Sequence, residues 1–581
     1  MVKRSIKKYK VDYFGQREPY QSALHDRELR KRSLVAAMWG CEDANRWPYQ
    51  WCRIFEKFLG EVIGFDPKKK KLQLGSKKMQ EELFKIVQMK KPNFFIFLIE
   101  SNEINIETIR RINQISPKTK TIVHFGDDDL RFENRSRYYA LFADYCMVPQ
   151  IDKFDKYLKE GIKNAYPIIG ADTNNFKPLE LEKIYDVSFI GRPLPSRVEY
   201  IRYLLANGIK VSLWGHGWSD FPTLSEIYKG PLKTEEIHKI VNQTKINLGF
   251  SRNYNNVPHF KGRIFDIYAC KSFQLVDYYK EYKKYFKENE EIVFFHTKEE
   301  LLEKIKYYLK NEKERKKIAE RGYSRTIKEN DYLVLFKKFF WEIINEEKSF
   351  ERHDLPRLKN KYIIISHNDA INTSELIKKI KDYTYIGFSD RGGIFSKYKN
   401  YLQAYSLEKT KKEISCCGYF AYEKKLGNYL TFNVIKAMKN FHIEEYSGLF
   451  NIQQLMVKKE FLLNNLDRFR AVLAGNKKID FLNENNTAFI SIPLLKIENL
   501  TKMNMTTLGL MNYETLDKTV QLNYLLELYV RAFQKKIFTD PYLYNLIYEA
   551  IFKSKLFLLK GIGKYLLKKE SLKKISHLKN S

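Results

Sequence analysis

The sequence predicts an α/β protein with two consecutive sections, each built on a parallel sheet, followed by a smaller α/β or α+β section and a helical tail. Short uninterrupted apolar runs alternate with helical patterns over residues 1–350, which is typical of strands buried on both faces of a parallel sheet. The chain has 581 residues, too many for a single core. We therefore divide it into residues 1–178, 179–350, 351–540 and 541–581.

The composition indicates a folded and strongly basic protein. Hydrophobic residues make up 44% of the chain, and its net charge is +33. Nucleic acid, an anionic membrane face or phosphorylated substrates would each explain this charge, and a uniform bias towards Lys, Ile, Asn and Tyr explains it without any partner. The sequence has no zinc knuckle, helix-turn-helix or RNP-like run, so we expect no nucleic-acid partner.

Cysteine spacing and hydropathy predict a cytoplasmic protein. The six cysteines show no CxxC spacing, so we expect reduced thiols. The basic start MVKRSIKKYK lacks the apolar core of a signal peptide, and no uncharged apolar run is long enough to span a bilayer. Attachment to the inner face of a membrane remains open as an alternative.

Polar residues follow several predicted strands of the first section. Ligand sites in parallel sheets lie beyond the carboxyl ends of the strands. This rule points to Trp39 and Gly40, to Glu100–Glu103 and to Gly126–Asp129. The predicted strands are Leu34–Met38, Phe94–Ile99, Thr121–Phe125 and Tyr145–Val148.

The acidic triplet Asp127, Asp128 and Asp129 has more than one interpretation. Three adjacent carboxylates offer oxygen ligands to a divalent cation, or one of them can act as a general base. Neighbouring loop side chains point in different directions, however, and Asp is common at helix N-termini, where it accepts backbone hydrogen bonds. The residues alone leave a capping, a substrate-binding and a metal-binding role open.

In the second section, basic residues follow a glycine turn. Asp186–Ile190 is predicted as a strand, Gly191 as a tight turn and Pro195–Leu205 as a helix. Arg192 and Arg197 lie at the start of that helix, where free amide groups favour phosphate oxygens. Further elements are predicted at Lys210–Trp214, Thr234–Asn242 and Lys245–Phe250, with the turn GHGW at Gly215–Trp218.

The stretch Pro258–Asp277 is a second candidate for binding a diphosphate. It places Lys261 and Arg263 around Gly262 at a predicted helix start, and Asp266 one turn further on. Helix N-termini favour anions, an Arg fork suits phosphate oxygens, and a carboxylate can accept hydrogen bonds from ribose hydroxyls. An ordinary amphipathic helix packed on a sheet is the alternative.

Motifs in the first two sections, taken in order, resemble the CgeB-like group of GT-B glycosyltransferases. They are HFGDDDLRF, YDVSFIGR, GIKVSLWGHGW, SRNYNNVPHFKGRIFDIYAC, EIVFFHTKEELLEKIKYYL and ERKKIAERG, and they cover residues 30–345. The resemblance implies a GT-B fold of two Rossmann-like domains, the second of which binds a nucleotide sugar. It also implies that the helix predicted at Asn330–Ile344 crosses back to the first domain.

The resemblance assigns the donor site to residues that match the family pattern. Gly191, Arg192 and Arg197 correspond to the family's diphosphate contacts, and Asp266 to the acidic residue that contacts the ribose. Lys271 stands where the family typically has glycine. The full set expected at the donor is Gly191, Arg192, Arg197, Gly215, Lys261, Gly262, Arg263 and Asp266.

The resemblance further implies catalysis without a metal or other cofactor, because positive side chains and helix dipoles stabilise the leaving diphosphate. The catalytic base is expected from the first section. The candidates are Asp127, Asp128, Glu100 and His124. The choice between inversion and retention stays open.

The third section loosely resembles the later half of a GT-A glycosyltransferase domain through YIGFSDRGG, EISCCGYFAY and LFNIQQLMVKKEFL. Only Asp390 remains of the acidic residues that bind metal in that family, and Arg391 follows it. A single carboxylate is a poor divalent-ion site, so we expect a degenerate domain for acceptor binding or assembly. The tail at Tyr542–Lys569 mixes apolar residues and lysines, which fits either an interfacial helix or docking on the protein itself.

These observations predict a cytoplasmic, nucleotide-sugar-dependent hexosyltransferase of bacterial type. The expected donor is a nucleoside-diphosphate sugar, and the acceptor is a surface glycan, a lipid-linked acceptor or a protein. Contact with an anionic membrane would account for the basic surface and tail. The alternatives are a dual transferase with an active GT-A site and an inactive protein that binds glycans or nucleotides.

Overall fold

The computed structural model of the chain describes its core elements and part of its C-terminal region. The described residues are 23–98, 103–162, 164–253, 256–346, 352, 354–366, 369, 373–389, 393–423, 428–432, 452–473, 482 and 485–497. They divide into two compact units. Unit 1 takes the described residues up to Leu355 except Lys68–Glu82 and Glu133–Tyr138, and unit 2 takes those two segments and the described residues from Pro356 onward.

Six parallel strands form the first sheet of unit 1, in the order β2-β1-β3-β4-β5-β6. Strand β3 is buried along its whole length, as its run of apolar residues predicts. The strands are β1 (Ser33–Ala37), β2 (Glu61–Phe65), β3 (Phe94–Leu98), β4 (Lys120–His124), β5 (Tyr145–Val148) and β6 (Ala165–Pro167). The helices in this part of the chain are α1 (Ala23–Leu29), α2 (Trp47–Phe55), α3 (Pro67–Lys90), α4 (Ile106–Ile115), α5 (Asp128–Arg131), α6 (Arg137–Ala140) and α7 (Phe154–Lys159), of which α3 and α6 belong partly to unit 2.

Five parallel strands form the second sheet of unit 1, in the order β11-β10-β9-β7-β8. They are β7 (Tyr185–Ile190), β8 (Val211–Trp214), β9 (Thr244–Gly249), β10 (Gln274–Asp277) and β11 (Val293–Phe295). The helices are α8 (Pro195–Ala206), α9 (Thr234–Asn242), α10 (Arg263–Ala269), α11 (Lys298–Lys310), α12 (Glu312–Glu329) and α13 (Tyr332–Asn345). The two parallel sheets with their helices confirm the predicted pair of Rossmann-like folds.

Helix α13 follows the second sheet in sequence but packs on the first. Phe336, Phe339 and Phe340 are buried in the core that contains β1, β3 and β5. The ring of Phe336 lies 4.9 Å from that of Trp51 and 4.8 Å from that of Phe55, measured between centroids. This confirms the predicted return of the chain to the first sheet. The domain boundary at residues 178 and 179 falls between β6 and β7 and remains a prediction.

Unit 2 contains a mixed sheet in the order β12-β13-β17-β15-β18-β14, with β16 paired to β15. Parallel and antiparallel pairs both occur, as in β12 with β13 and β13 with β17. The strands are β12 (Tyr362–Ile365), β13 (Tyr385–Phe388), β14 (Gly393–Phe395), β15 (Ile414–Glu423), β16 (Asn428–Phe432), β17 (Leu455–Lys458) and β18 (Thr487–Ile497). The helices are α14 (Thr373–Ile380), α15 (Lys399–Thr410), α16 (Lys459–Asn464) and α17 (Leu466–Leu473).

Several expectations for the C-terminal region fall on residues that the structure does not describe. Asp390, Arg391 and the tail at 541–581 lie outside the described residues. Within the described ranges, no helix combines the length and the apolar character needed to cross a membrane. The six cysteines are free and buried, as their spacing predicts.

Replacing Phe336 by alanine tests the packing of α13 on the first sheet. The side chain is fully buried, and removing a buried phenyl ring costs about 3–5 kcal/mol because it leaves a cavity. We expect Phe336→Ala to lower the midpoint of urea unfolding followed by tryptophan fluorescence. Met89→Ala is the control, since Met89 is 64% exposed and its loss should change stability by no more than about 0.5 kcal/mol. Equal effects of the two substitutions would contradict this packing role.

Candidate functional site

A pocket of about 170 Å³ lies in unit 1, beyond the carboxyl ends of strands from both parallel sheets. This is where the strand rule places ligand sites. The volume is below the roughly 300–1,000 Å³ of a typical small-molecule pocket, so a ligand of that size would fill it with only part of its structure. The lining residues follow β4, β7 and β9 and are Asp127, Asp129, Arg192, Leu194, Arg197, Asn253, His259 and Lys261.

Three cationic side chains line the pocket, and all three are predicted donor ligands. They are Arg192, Arg197 and Lys261. Arg192 is exposed, whereas Arg197 is largely buried. The guanidinium of Arg197 donates to the backbone oxygens of Arg192 and Arg252, at 3.1 and 3.2 Å. Arg197 therefore fixes the loops after β7 and β9, and all three cations contribute positive charge to one pocket.

Two glycines shape the turns beside these cations. Gly215 has a φ of +127°, and a Cβ atom at this position would lie 2.2 Å from the backbone oxygen of Gly191. Only glycine fits both the backbone conformation and this close approach. The same Gly191 oxygen accepts a hydrogen bond of 2.7 Å from the indole of Trp218. The predicted donor residues Gly191 and Gly215 thus determine the backbone path next to Arg192.

Lys261 is held on the loop before α10. Its backbone N–H donates to the hydroxyl of Tyr282 at 3.0 Å. Burial lowers the pKa of the Lys261 ammonium group to about 8, with Asp127 and Asp129 opposing this change and Arg197 adding to it. Gly262 immediately precedes the helix as its N-terminal cap. Lys261 therefore carries a positive charge in the pocket at neutral pH, as a phosphate contact requires.

The three adjacent aspartates have three different environments. The side chain of Asp127 is 55% exposed in the pocket, and its backbone is left-handed with a φ of +53°. Asp128 points inward and accepts a 2.6 Å hydrogen bond from Tyr157. The side chain of Asp129 is 3% exposed and lines the pocket. Asp127 precedes α5 without capping it through its side chain, so the capping interpretation fails for this residue.

Two polar pocket residues, His259 and Asn253, were not identified as site candidates from the sequence. The side chain of His259 is 5% exposed and contacts two carboxylates across the pocket: its Nδ1 lies 2.9 Å from Oδ1 of Asp129, and its Nε2 lies 3.5 Å from Oδ1 of Asp127. The buried side chain of Asn253 donates to Asp129. His259 belongs to the motif SRNYNNVPHFKGRIFDIYAC. Its position just before Lys261 and Arg263 is the sequence feature that could have identified it as a site residue.

The predicted donor residues Arg263 and Asp266 lie outside the lining of this pocket. Burial raises the pKa of Asp266 to about 7, although the charge of Arg263 opposes the rise. The carboxyl group accepts a hydrogen bond from the backbone N–H of Asp172. The structure thus separates the basic pair of the Pro258–Asp277 stretch, with Lys261 in the pocket and Arg263 beside Asp266. Contact of Arg263 and Asp266 with a donor remains a prediction.

The described catalytic candidates other than Asp127, which are Asp128 and His124, do not line the pocket. Glu100 lies outside the described residues. His124 ends β4 and packs edge-on against the rings of Trp47 and Trp51. Burial lowers the pKa of the His124 imidazole to about 3, so this ring is neutral at physiological pH. Asp128, enclosed beside Tyr157, suits a structural role better than contact with a substrate.

Asp127, Asp129 and His259 are residue types that bind divalent cations, and their nearest ligand atoms lie within 4.8 Å of one another. Three cationic side chains line the same pocket, however, and their charge opposes the binding of another cation. His259 and Asp129 already contact each other. The charges therefore suit an anionic ligand beside an acid–base group, and we assign no metal site.

Replacing Asp266 by asparagine tests the burial of this carboxyl group. With a pKa of about 7 in the folded chain against about 4 when unfolded, the folded state keeps a proton that the unfolded state has released. The associated stability is fully present below about pH 4 and is lost as the pH rises through 7. We expect the melting temperature of Asp266→Asn, relative to wild type, to rise by several degrees between pH 4.5 and pH 8. The control is Asp220→Asn, which replaces an exposed carboxylate. A difference in melting temperature between Asp266→Asn and wild type that changes with pH no more than that of the control would exclude the raised pKa.

Comparison with known proteins finds matches to part of the chain. Residues 197–336 match a family model described as glycosyl transferase-like. The spore protein CgeB from Bacillus subtilis (strain 168) is 24% identical over 191 residues, which cover 29% of this chain. The match spans 59% of CgeB, so the chain covers less than two thirds of this relative.

Solved structures match at low similarity. HepE from Anabaena, in complex with UDP, is 12% identical, with a TM-score of 0.40 over 54% of this chain and 100% of HepE. Sucrose-phosphate synthase from Thermosynechococcus elongatus is 10% identical, with a TM-score of 0.41 over 54% of this chain and 99% of the synthase. At these scores the structural overlap supports no inference about activity. The predicted resemblance to the CgeB-like glycosyltransferases is confirmed by the family model and by CgeB itself, and it is carried by the glycosyl transferase-like region at residues 197–336.

Proposed function

We propose that the protein is a glycosyltransferase that moves a sugar from a nucleoside-diphosphate sugar to a glycan, lipid-linked or protein acceptor. The observation that carries this proposal is the pocket in which Arg192, Arg197 and Lys261 meet beyond the strands of both parallel sheets. The glycosyl transferase-like match includes Arg197 and Lys261. The diphosphate of the donor is the ligand whose charge fits these three cations.

The pocket supports departure of the nucleotide without a bound cation. Negative charge develops on the β-phosphate as the bond to the sugar breaks, and fixed positive groups stabilise that charge where water is largely excluded. Arg197 is held in place by two backbone oxygens, so its position does not need to be organised during the reaction. Arg192 is exposed at the rim and is suited to contact an entering diphosphate.

The acceptor and the location belong to the proposal as well. A cytoplasmic enzyme that acts on a surface glycan, with possible acceptors at the inner membrane face, would make use of the net charge of +33. The segments 1–178 and 179–350 would form the catalytic halves. The segment 351–540 would bind acceptor or partners, and 541–581 would contact an anionic membrane.

Replacing Arg192 by alanine tests donor binding. A panel of UDP-, GDP-, ADP- and dTDP-sugars is first screened for an increase in the melting temperature of the wild-type chain. With the nucleotide class that binds, we expect Arg192→Ala to weaken affinity by about 10- to 100-fold, because a hydrogen bond to a charged group contributes about 1.5–3 kcal/mol.

Arg202→Ala is the matched control for this measurement. Arg202 is an exposed arginine on α8, the helix that follows the Arg192 loop, and it donates to the hydroxyl of Thr223 at 3.2 Å. We expect this variant to bind the donor like wild type. Wild-type affinity in Arg192→Ala would show that the pocket is not the diphosphate site. Absence of any nucleotide-sugar binding or transfer by the wild-type chain would overturn the proposed function.

The pKa of Lys261 predicts how donor affinity changes with pH. Because the pKa of its ammonium group is about 8, the side chain is charged below pH 8 and loses its charge above it. We expect the affinity for the nucleoside diphosphate to fall as the pH rises through 8, measured by titration calorimetry between pH 6.5 and 9.5. Lys261→Arg keeps its charge over this range and should show a flat profile. The same decline in both proteins would exclude Lys261 as its source.

A further inference from the structure

The pocket that contains the arginines also contains an imidazole between two carboxylates. His259 contacts Asp129 through Nδ1 and Asp127 through Nε2, at 2.9 and 3.5 Å. The three residues come from two loops, one after β4 and one after β9, so both parallel sheets contribute to the group. Such an arrangement of His with a fixed carboxylate is the chemistry of a general base.

Asp129 determines which nitrogen of His259 carries a proton. Burial acts to raise the pKa of Asp129, but the contacts with His259, Asn253 and Lys261 outweigh it and the pKa is lowered. Asp129 is therefore ionised, and a carboxylate 2.9 Å from Nδ1 requires a proton on that nitrogen. The direction of this N–H departs from that of an ideal hydrogen bond, so the ring is oriented mainly by the attraction between the N–H dipole and the carboxylate charge.

The other nitrogen of His259 is then available to accept a proton. With Nδ1 protonated, the neutral ring has its lone pair on Nε2. The amide nitrogen of Gln150 lies 3.4 Å from Nε2 and can donate to it. The Asp127 carboxylate, 55% exposed, lies 3.5 Å from the same atom and can accept a hydrogen bond from an entering hydroxyl group. The titratable groups that face His259 are thus Asp127, Asp129 and, through both carboxylates, Lys261.

We infer that His259 is the general base that activates the acceptor hydroxyl, with Asp129 as its positioning residue, and that transfer inverts the configuration of the sugar. This inference rests on the proposed function. The acceptor oxygen forms a bond to the anomeric carbon as the bond between that carbon and the β-phosphate oxygen breaks. The electron pair leaves with the nucleoside diphosphate, and the hydroxyl proton moves to Nε2 of His259. Asp127 and Asp129 stabilise the resulting imidazolium, which then releases its proton to water.

The test separates donor binding from proton transfer. The probe is the nucleotide sugar with the largest thermal shift in the panel, with water as acceptor, so that no natural acceptor is needed. We expect His259→Gln to bind this donor within about twofold of wild type and to lower kcat for its hydrolysis by about 10²- to 10⁴-fold. The control His296→Gln, an exposed histidine paired with Glu300, should keep wild-type kcat.

Two further readouts distinguish a base from a merely structural histidine. In wild type, kcat/KM should fall towards acid pH, because a protonated imidazole cannot accept the hydroxyl proton, and this acid limb should be absent in His259→Gln. Added imidazole should restore activity to His259→Ala. Asp129→Asn is a second variant that keeps the test open if the histidine variants fail to fold, and it should lower kcat while keeping donor affinity.

The configuration of the released sugar, followed by NMR before mutarotation, should be opposite to that in the donor. Retained configuration, wild-type kcat in His259→Gln, or equal losses of donor affinity and kcat in that variant would each overturn the assignment. These results are distinct from failure of the proposed function, in which the wild-type chain itself neither binds nor cleaves any nucleotide sugar.

Discussion

The burial of Arg197 is the constraint on which the pocket depends. A guanidinium removed from water needs partners for its donors, and in this chain they are the backbone oxygens of Arg192 and Arg252. The loop after β7 and the loop after β9 must therefore take up conformations that present these oxygens. The ring of Phe189, 5.4 Å from the guanidinium carbon, contributes a further contact. One side chain thus supplies charge to the pocket and fixes two of the loops that form it.

The pocket combines charges of both signs at short range. Arg192 and Lys261 offer positive charge to a ligand, whereas Asp127 and Asp129 surround the imidazole of His259. A nucleotide sugar has a matching asymmetry, because its diphosphate is anionic and its sugar carbon must meet a nucleophile that loses a proton. The left-handed backbone of Asp127 is a local cost of order 1–3 kcal/mol, which the surrounding loop sustains. Strain at this position accompanies the projection of its carboxylate into the pocket.

Sequence patterns predicted the buried strands well because their information is local. Runs such as Phe94–Leu98 are apolar on both faces and allow few other interpretations. Strand β2, with its partly exposed residues, and the three-residue β6 were missed because short strands at the edges of a sheet carry a weak apolar signal. The contact between His259 and Asp129 could not be predicted, because the two residues are distant in sequence and only the fold brings them together. Likewise, the inward direction of Asp128 depends on Tyr157, and the sequence alone does not show which member of an acidic triplet faces solvent.

The return of α13 to the first sheet affects how the protein can be dissected. Phe336, Phe339 and Phe340 cover strands that end more than a hundred residues earlier in the chain. A fragment cut near residue 178 would expose this apolar surface to water and tend to aggregate. Adding the segment 332–345 back as a synthetic peptide would restore the cover, so split-protein complementation is a practical route to studying the two halves separately.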